Sequence, residues 1–302
     1  MMKIAITGGR GLIGRELLKI LPGNYEAVVL SRKHLKIEPE YLDLNVTQLQ
    51  TDYKVDSLCN IFNDSDAVIH LAAQRLQKKN SDNSFKNVLV DYNIFRACEI
   101  LSITNIVFAS SCGVYGRNPD IPWSEDCHPT PENPYSLGKL ISEQTADYFN
   151  KKGLSIKCLR LAHVLSIDAR KEYMLGRFLG NALKGELIEL YATEGQKREY
   201  IYVKDVVNGI LAALGKPEVK GVFNFGSGEV VSIPQLAVLI NSIFENSGQI
   251  IKREPDTPRE EFSLMDSELF YSTFDFQPAW TIPNALVDIY NSESSKTKSP
   301  AQ

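Results

Sequence analysis

The sequence predicts an α/β fold: a doubly wound parallel sheet with helices on both faces and a smaller C-terminal lobe beside it. Three observations carry this. Short apolar runs alternate with helical periodicities from Lys3 to about Leu161, the pattern of repeated strand–helix–strand crossovers. The strand-like runs are apolar throughout, as strands buried on both faces must be. Past Ser166 the alternation loosens, which marks a second, less regular body.

Taken in order, Lys-Ile-Ala-Ile-Thr at 3–7 is a first strand, and a glycine turn follows at once. Leu12, Ile13, Leu17, Leu18 and Leu21 then recur at helical spacing. The second strand is 26–30, and a third short strand is expected just before Asp43. Strands at 67–71, 106–109 and 156–161 alternate with helices at 87–101 and 135–151. Beyond them come a helix at 174–183, a strand and helix over 200–214, a strand at 222–225 and a helix at 233–244. The expected division is a dinucleotide-binding unit at 1–165 and a mainly substrate-binding lobe at 166–291, some of whose segments return to the main sheet. Residues 292–302 are polar and aperiodic, which predicts a disordered tail. The stretch from Gly116 to Asn133, rich in proline, is expected to form part of a substrate wall.

Strand, glycine turn and helix together make a dinucleotide site. Glycine permits the tight turn and the close approach of backbone N–H groups to a pyrophosphate, and the helix N-terminus adds partial positive charge. The spacing here is Gly8-x-x-Gly11-x-x-Gly14, with Gly9 as a further small residue, and Leu12 and Ile13 lie inside it. It differs from the G-x-G-x-x-G form, and its place at the head of an alternating chain is what argues for a Rossmann-type fold. The second strand ends in Ser31-Arg32-Lys33. An acidic residue there would bind the ribose 2′-hydroxyl of NAD, whereas an arginine suits the 2′-phosphate of NADP. Arg32 therefore favours NADP over NAD. Asp43, followed by Leu44, is a candidate to approach the adenine.

Tyr135 and Lys139 stand four residues apart behind Asn133-Pro134, an N-cap and a first-turn proline. They share a helix face. A free tyrosine, with a pKa of about 10, is a poor base at neutral pH, and a nearby ammonium favours its phenolate. Upstream, the strand at 106–109 leads into Ser110-Ser111-Cys112-Gly113-Val114-Tyr115-Gly116. A hydroxyl at a strand's carboxyl end lies where open parallel sheets bind ligands, so Ser111 is a candidate to hold a substrate oxygen beside Tyr135.

These motifs together resemble the extended short-chain dehydrogenase/reductase family, in its NAD(P)-dependent sugar-nucleotide epimerase/dehydratase group. Further residues that carry the resemblance are Asp66 to Ala73, Leu159-Arg160, Arg198 to Val206, and Phe223 to Gly228. The resemblance implies Tyr135 as acid/base, Lys139 as the residue that tunes it and holds the nicotinamide ribose, and Ser111 as their hydroxyl partner. It implies cofactor contacts at Leu71, Ala72, Ala73, Asn87 and Ser110, and it places Arg198, and more loosely Arg259, against the substrate diphosphate. It also implies a homodimer built through the catalytic helix. Two departures matter. Dehydratases of this group carry Asp-Glu after the catalytic hydroxyl residue, and here Cys112-Gly113 stands instead. His163 replaces an asparagine that touches the sugar nucleotide. The expectation is a nucleotide-sugar epimerase acting at C4. A reductase of a nucleotide-linked keto-sugar is the alternative, and a non-catalytic dinucleotide-binding regulator stands outside both.

Composition bounds the rest. The 302 residues are 43% hydrophobic with a net charge of −4. No basic block points to nucleic acid, no apolar run reaches membrane-spanning length, and no signal-peptide pattern is present, so a cytoplasmic enzyme is expected. The five cysteines are scattered and read as reduced thiols, and the four histidines show no metal-ligand spacing. Cys112 is expected to pack rather than react, and His70 to pack at a strand end.

Overall fold

The computed structural model describes residues 1–32, 45–74, 83–254 and 261–298. The first half unfolds in the order β1 (Met2–Thr7), α1 (Leu12–Ile20), β2 (Tyr25–Ser31), β3 (Val46–Gln50), α2 (Val55–Phe62), β4 (Ala67–His70), α3 (Asn83–Leu101), β5 (Asn105–Ala109), α4 (Pro134–Lys151) and β6 (Ser155–Leu161). The second adds β7 (His163–Leu165), α5 (Met174–Ala182), β8 (Ile188–Leu190), β9 (Gln196–Tyr202), α6 (Val203–Leu214), β10 (Gly221–Phe225), β11 (Val230–Ser232), α7 (Ile233–Ile243), β12 (Ile250–Lys252), β13 (Glu261–Ser263), α8 (Glu268–Phe274) and α9 (Ile282–Lys298).

Seven strands form one parallel sheet in the order β10-β6-β5-β4-β1-β2-β3. Strand order reverses between β1 and β4, which opens a crevice at their carboxyl ends. Ile4, Ala5, Ile6, Val68, Ile69, Ile106, Val107 and Phe108 are fully buried, because helices cover both faces. The lobe is built differently. β9 pairs β11 antiparallel and β13 parallel through its first half, and β7 parallel through its second. A two-stranded piece, β12-β8, lies apart. Its core of Leu165, Phe178, Leu179, Ile188, Tyr202, Leu236, Ile240 and Leu286 is separate from the two that flank the main sheet. β10 is the lobe segment that returns to the main sheet.

One expectation changes. The tail predicted from 292 onward is, as far as Lys298, part of α9. The first turns of α9 bury Ile282, Ala285, Leu286 and Ile289, and Glu293 and Lys296 behind them favour helix. Among the described residues the strand after β2 is β3 at 46–50, and the stretch just before Asp43, where a third strand is expected, lies outside them. Asp43 and Leu44 lie outside the described residues, as does Arg259. The connection from Gly116 to Asn133 is tied down: Trp123 is buried, stacks on Tyr115 at 5.0 Å and donates from Nε1 to the Asn118 carbonyl. Among the described residues no helix is long and apolar enough to cross a membrane.

Candidate active site

The glycine turn is shaped by contacts that exclude side chains. Gly8 sits at φ +73°, and a Cβ there would lie 2.6 Å from the Ala72 nitrogen. A Cβ on Gly14 would lie 2.4 Å from the Gly8 oxygen, so α1 packs directly on the turn. Gly11 is the N-cap of α1 with no side-chain cap, which leaves the first N–H groups of the helix to a ligand. The residues present fit a dinucleotide: a cradle at Gly8, Gly11, Leu12, Ile13 and Gly14, closed on its far side by Leu71 and Ala72. Ala73 follows on the same strand end. Asn87 fixes this wall, accepting from the Gln74 N–H at 2.8 Å and donating to the Gln74 carbonyl at 2.9 Å.

Ser31 and Arg32 end β2. The Gln50 side chain donates to the Arg32 carbonyl at 3.1 Å and so joins β2 to β3. Asp52 and Tyr53 stand just past the carboxyl end of β3, and the Arg32 charge bears on Tyr53, whose hydroxyl burial pushes up to about 12. Asp52 is exposed and accepts from the Lys54 N–H at 2.9 Å. Asp43, the acid that the sequence points to for this corner, lies outside the described residues.

α4 carries the pair Tyr135 and Lys139. Asn133 caps it by accepting from the Ser136 N–H at 2.9 Å. Tyr135 lies in the first turn, half-buried. Lys139, 3% exposed, donates from Nζ to the Ala109 carbonyl at 2.6 Å and lies 4.3 Å from the Phe108 ring centroid. Ser111 caps a short 3-10 turn, Cys112–Tyr115, by accepting from the Gly113 N–H. A Cβ on Gly113 would meet Ser136 Oγ at 2.6 Å, so this turn presses against the start of α4 and brings Ser111 to the Tyr135 end of the helix. Cys112 is buried.

Other predicted residues have partners that sequence alone did not show. The Ser110 hydroxyl donates to Glu143, which also accepts from Arg160, from Nε at 3.1 and 3.2 Å and from Nη2 at 2.8 Å. Arg198 is held in a fork by Glu261, at 2.9 Å from Nε and 2.8 Å from Nη2. Burial would raise the Glu261 carboxyl, but the Arg198 guanidinium holds it below the usual range, helped by His163 and Arg117. His163 stands beside this pair, 5.7 Å from the Tyr200 ring. The structure thus gathers Arg198, His163 and Glu261 in one place, and Glu261 was missed because it lies 63 residues from Arg198. Among the described residues no cluster of His, Cys, Asp or Glu is arranged to hold a metal ion.

A nucleotide cradle, a Tyr-Lys helix and a serine turn on one edge of a parallel sheet define an enzyme of the extended short-chain dehydrogenase/reductase type. The model of the NAD dependent epimerase/dehydratase family matches residues 4–226, and the chain belongs to that family. The crystal structure of UDP-N-acetylglucosamine 4-epimerase from Bacillus cereus is similar at a TM-score of 0.87 and 32% identity, covering 97% of each chain. By sequence the chain is 28% identical over 315 residues to the uncharacterised UDP-glucose epimerase YtcB of Bacillus subtilis, covering 95% of this chain and 96% of that one. It is 27% identical to dTDP-4-dehydro-6-deoxyglucose reductase of Escherichia coli over 94% of this chain and 95% of that one.

Proposed function

We propose that this enzyme inverts C4 of a UDP-linked sugar. The observation that supports this reading is the turn Ser111-Cys112-Gly113 packed on the first turn of α4: it carries the serine hydroxyl toward the Tyr135 end of that helix, and it has Cys112-Gly113 where a dehydratase has Asp-Glu. A nicotinamide dinucleotide, when bound, supplies a hydride acceptor and donor. Tyr135 takes the C4 hydroxyl proton as that carbon is oxidised and returns it when the carbon is reduced from the other face. Ser111 hydrogen-bonds the same oxygen. Lys139 lends the ammonium charge that favours the phenolate, in a pocket where it is nearly free of solvent. Arg198 and His163 take the diphosphate side.

The test is incubation with UDP-glucose, UDP-N-acetylglucosamine and UDP-glucuronic acid and NMR of the products. Tyr135→Phe is expected to lower kcat by about a hundredfold or more, with folding intact; near-wild-type turnover would refute the mechanism. Reduction of a nucleotide-linked keto-sugar is the second reading, favoured by Arg32 at the end of β2, which suits NADP. Net consumption of NADPH with such a substrate, and no C4 inversion, would replace the first reading with it.

The same reading includes a homodimer. Phe85, Leu89, Tyr92 and Ile100 of α3 are 56%, 61%, 43% and 50% exposed, and Leu137 and Tyr148 of the adjoining α4 are 39% and 52% exposed. Phe85, Leu89 and Tyr92 follow one another at helical spacing as an apolar stripe, which a second copy would cover. Sedimentation is expected to give twice the chain mass, and Leu89→Lys to shift it toward the monomer.

A further inference from the structure

Asp91 is a carboxylate in the wrong place for an ordinary one: the middle of α3, 0% exposed, between α3, α4 and the main sheet. A buried charge is costly unless it is fully bonded, and it is kept when something depends on it. Asp91 Oδ1 lies 2.7 Å from His70 Nε2, and Oδ2 accepts from the Ser142 hydroxyl at 2.6 Å. His70, also 0% exposed, lies 2.7 Å through Nδ1 from the Thr7 hydroxyl, which accepts from the Ala72 N–H at 3.2 Å. One proton assignment satisfies every atom: Ala72 N–H to Thr7, Thr7 O–H to His70, His70 N–H to Asp91, Ser142 O–H to Asp91.

The ends of this chain of bonds are what give it meaning. Ala72 is the residue against which Gly8 packs, so one end is the wall of the dinucleotide cradle. Ser142 sits one turn beyond Lys139, and its hydroxyl is also 3.0 Å from the Gly138 carbonyl, so the other end is the backbone that presents Lys139. Burial by itself would raise the Asp91 carboxyl, but His70, the Lys139 ammonium and the Ser142 hydroxyl more than offset this and hold it below the usual range. The other titratable groups about this spot are Cys158 of β6, whose thiol burial pushes far up, and the Glu143–Arg160 pair, whose opposite charges are spent on each other.

We propose that Asp91 is a positioning residue for the Tyr135–Lys139 pair: its carboxylate ties the cradle wall, through His70 and Thr7, to the helix that carries the pair, through Ser142. This rests on the roles given above to Tyr135 and Lys139. Asp91 itself touches neither substrate nor cofactor.

The experiment is steady-state kinetics across pH of the full-length protein and of Asp91→Asn. The variant keeps the shape and removes the charge. Its kcat is expected to fall several-fold at unchanged KM for the nucleotide sugar, and the alkaline limb of its kcat profile to move to lower pH. Wild-type kcat, or a loss confined to KM, overturns the proposal, and so does an unmoved alkaline limb, because a packing role alone would lower stability without shifting the profile. If Asp91→Asn does not fold, Ser142→Ala decides: it keeps the carboxylate and loosens the helix end, so kcat is expected to fall several-fold with the alkaline limb in place. Wild-type kcat in that variant overturns the proposal. Failure of the underlying reading shows itself separately, as undiminished turnover in Tyr135→Phe.

Discussion

Ser142 and Glu143 are neighbours in α4, both buried, yet they enter polar networks of opposite character. Glu143 meets Arg160 in a fork, with Ser110 on one side and Tyr115 on the other; Tyr115 takes a bond from Arg160 Nη1 at 2.7 Å and gives one to Asn224 at 2.7 Å. The buried charges of Arg160 and Glu143 offset each other within it. Burial pushes the Tyr115 hydroxyl up to about 12, so it remains a donor at any working pH. Ser142 instead joins a network whose carboxylate, Asp91, is bonded to His70 within it and also feels the Lys139 ammonium outside it. The first network braces the serine turn against β6 and β10. The second runs from the glycine turn's wall to the helix that carries Lys139. One pairs its charges in a fork, and the other links two elements through a single carboxylate.

The largest expected effect breaks the balanced side. Arg160→Ala leaves Glu143 buried without its cation and should cost about 3–5 kcal/mol in urea unfolding. A loss of only a few tenths would mean that the pair is not desolvated as its burial indicates. A smaller effect sharpens the contrast. Because the Asp91 carboxyl is depressed in the folded chain, the unfolded chain binds more protons in acid. The stabilisation is therefore whole above the unfolded value of 3.8 and drains away as pH falls through the lower folded one. The ion pair of Arg160 loses no proton from its guanidinium there. Unfolding free energies measured from neutrality into acid should accordingly fall more steeply for the wild type than for Asp91→Asn. Parallel curves would place the acid sensitivity elsewhere.

How far the sequence could be read follows from the same contrast. The glycine turn and the Tyr135–Lys139 pair are local signals, each inside one strand–turn–helix or one helix turn, and the main-sheet elements fall within a few residues of their expected bounds. The networks are not local: His70 meets Asp91 across 21 residues, and Asp91 meets Ser142 across 51. No spacing rule announces such contacts, so His70 was read as packing and Asp91 was not singled out. In the lobe β7, β8, β11, β12 and β13 have three residues each, too few for a period of two to show. Glu261, which engages Arg198, lies on one of them. The polar end of α9 was misjudged because helix formers continue past the last buried position, where periodicity stops but propensity does not.

One feature of the sheet order reaches beyond chemistry. The chain leaves the main sheet for the lobe from the carboxyl ends of β6 and β10, which are side-by-side strands at one margin. The glycine turn and Arg32 belong to β1 and β2, toward the opposite margin. Insertions, deletions and exchanges in the lobe are therefore anchored at two adjacent points and need not disturb the strands that carry the glycine turn. In evolutionary terms the sheet order lets the lobe be remodelled on an unchanged frame.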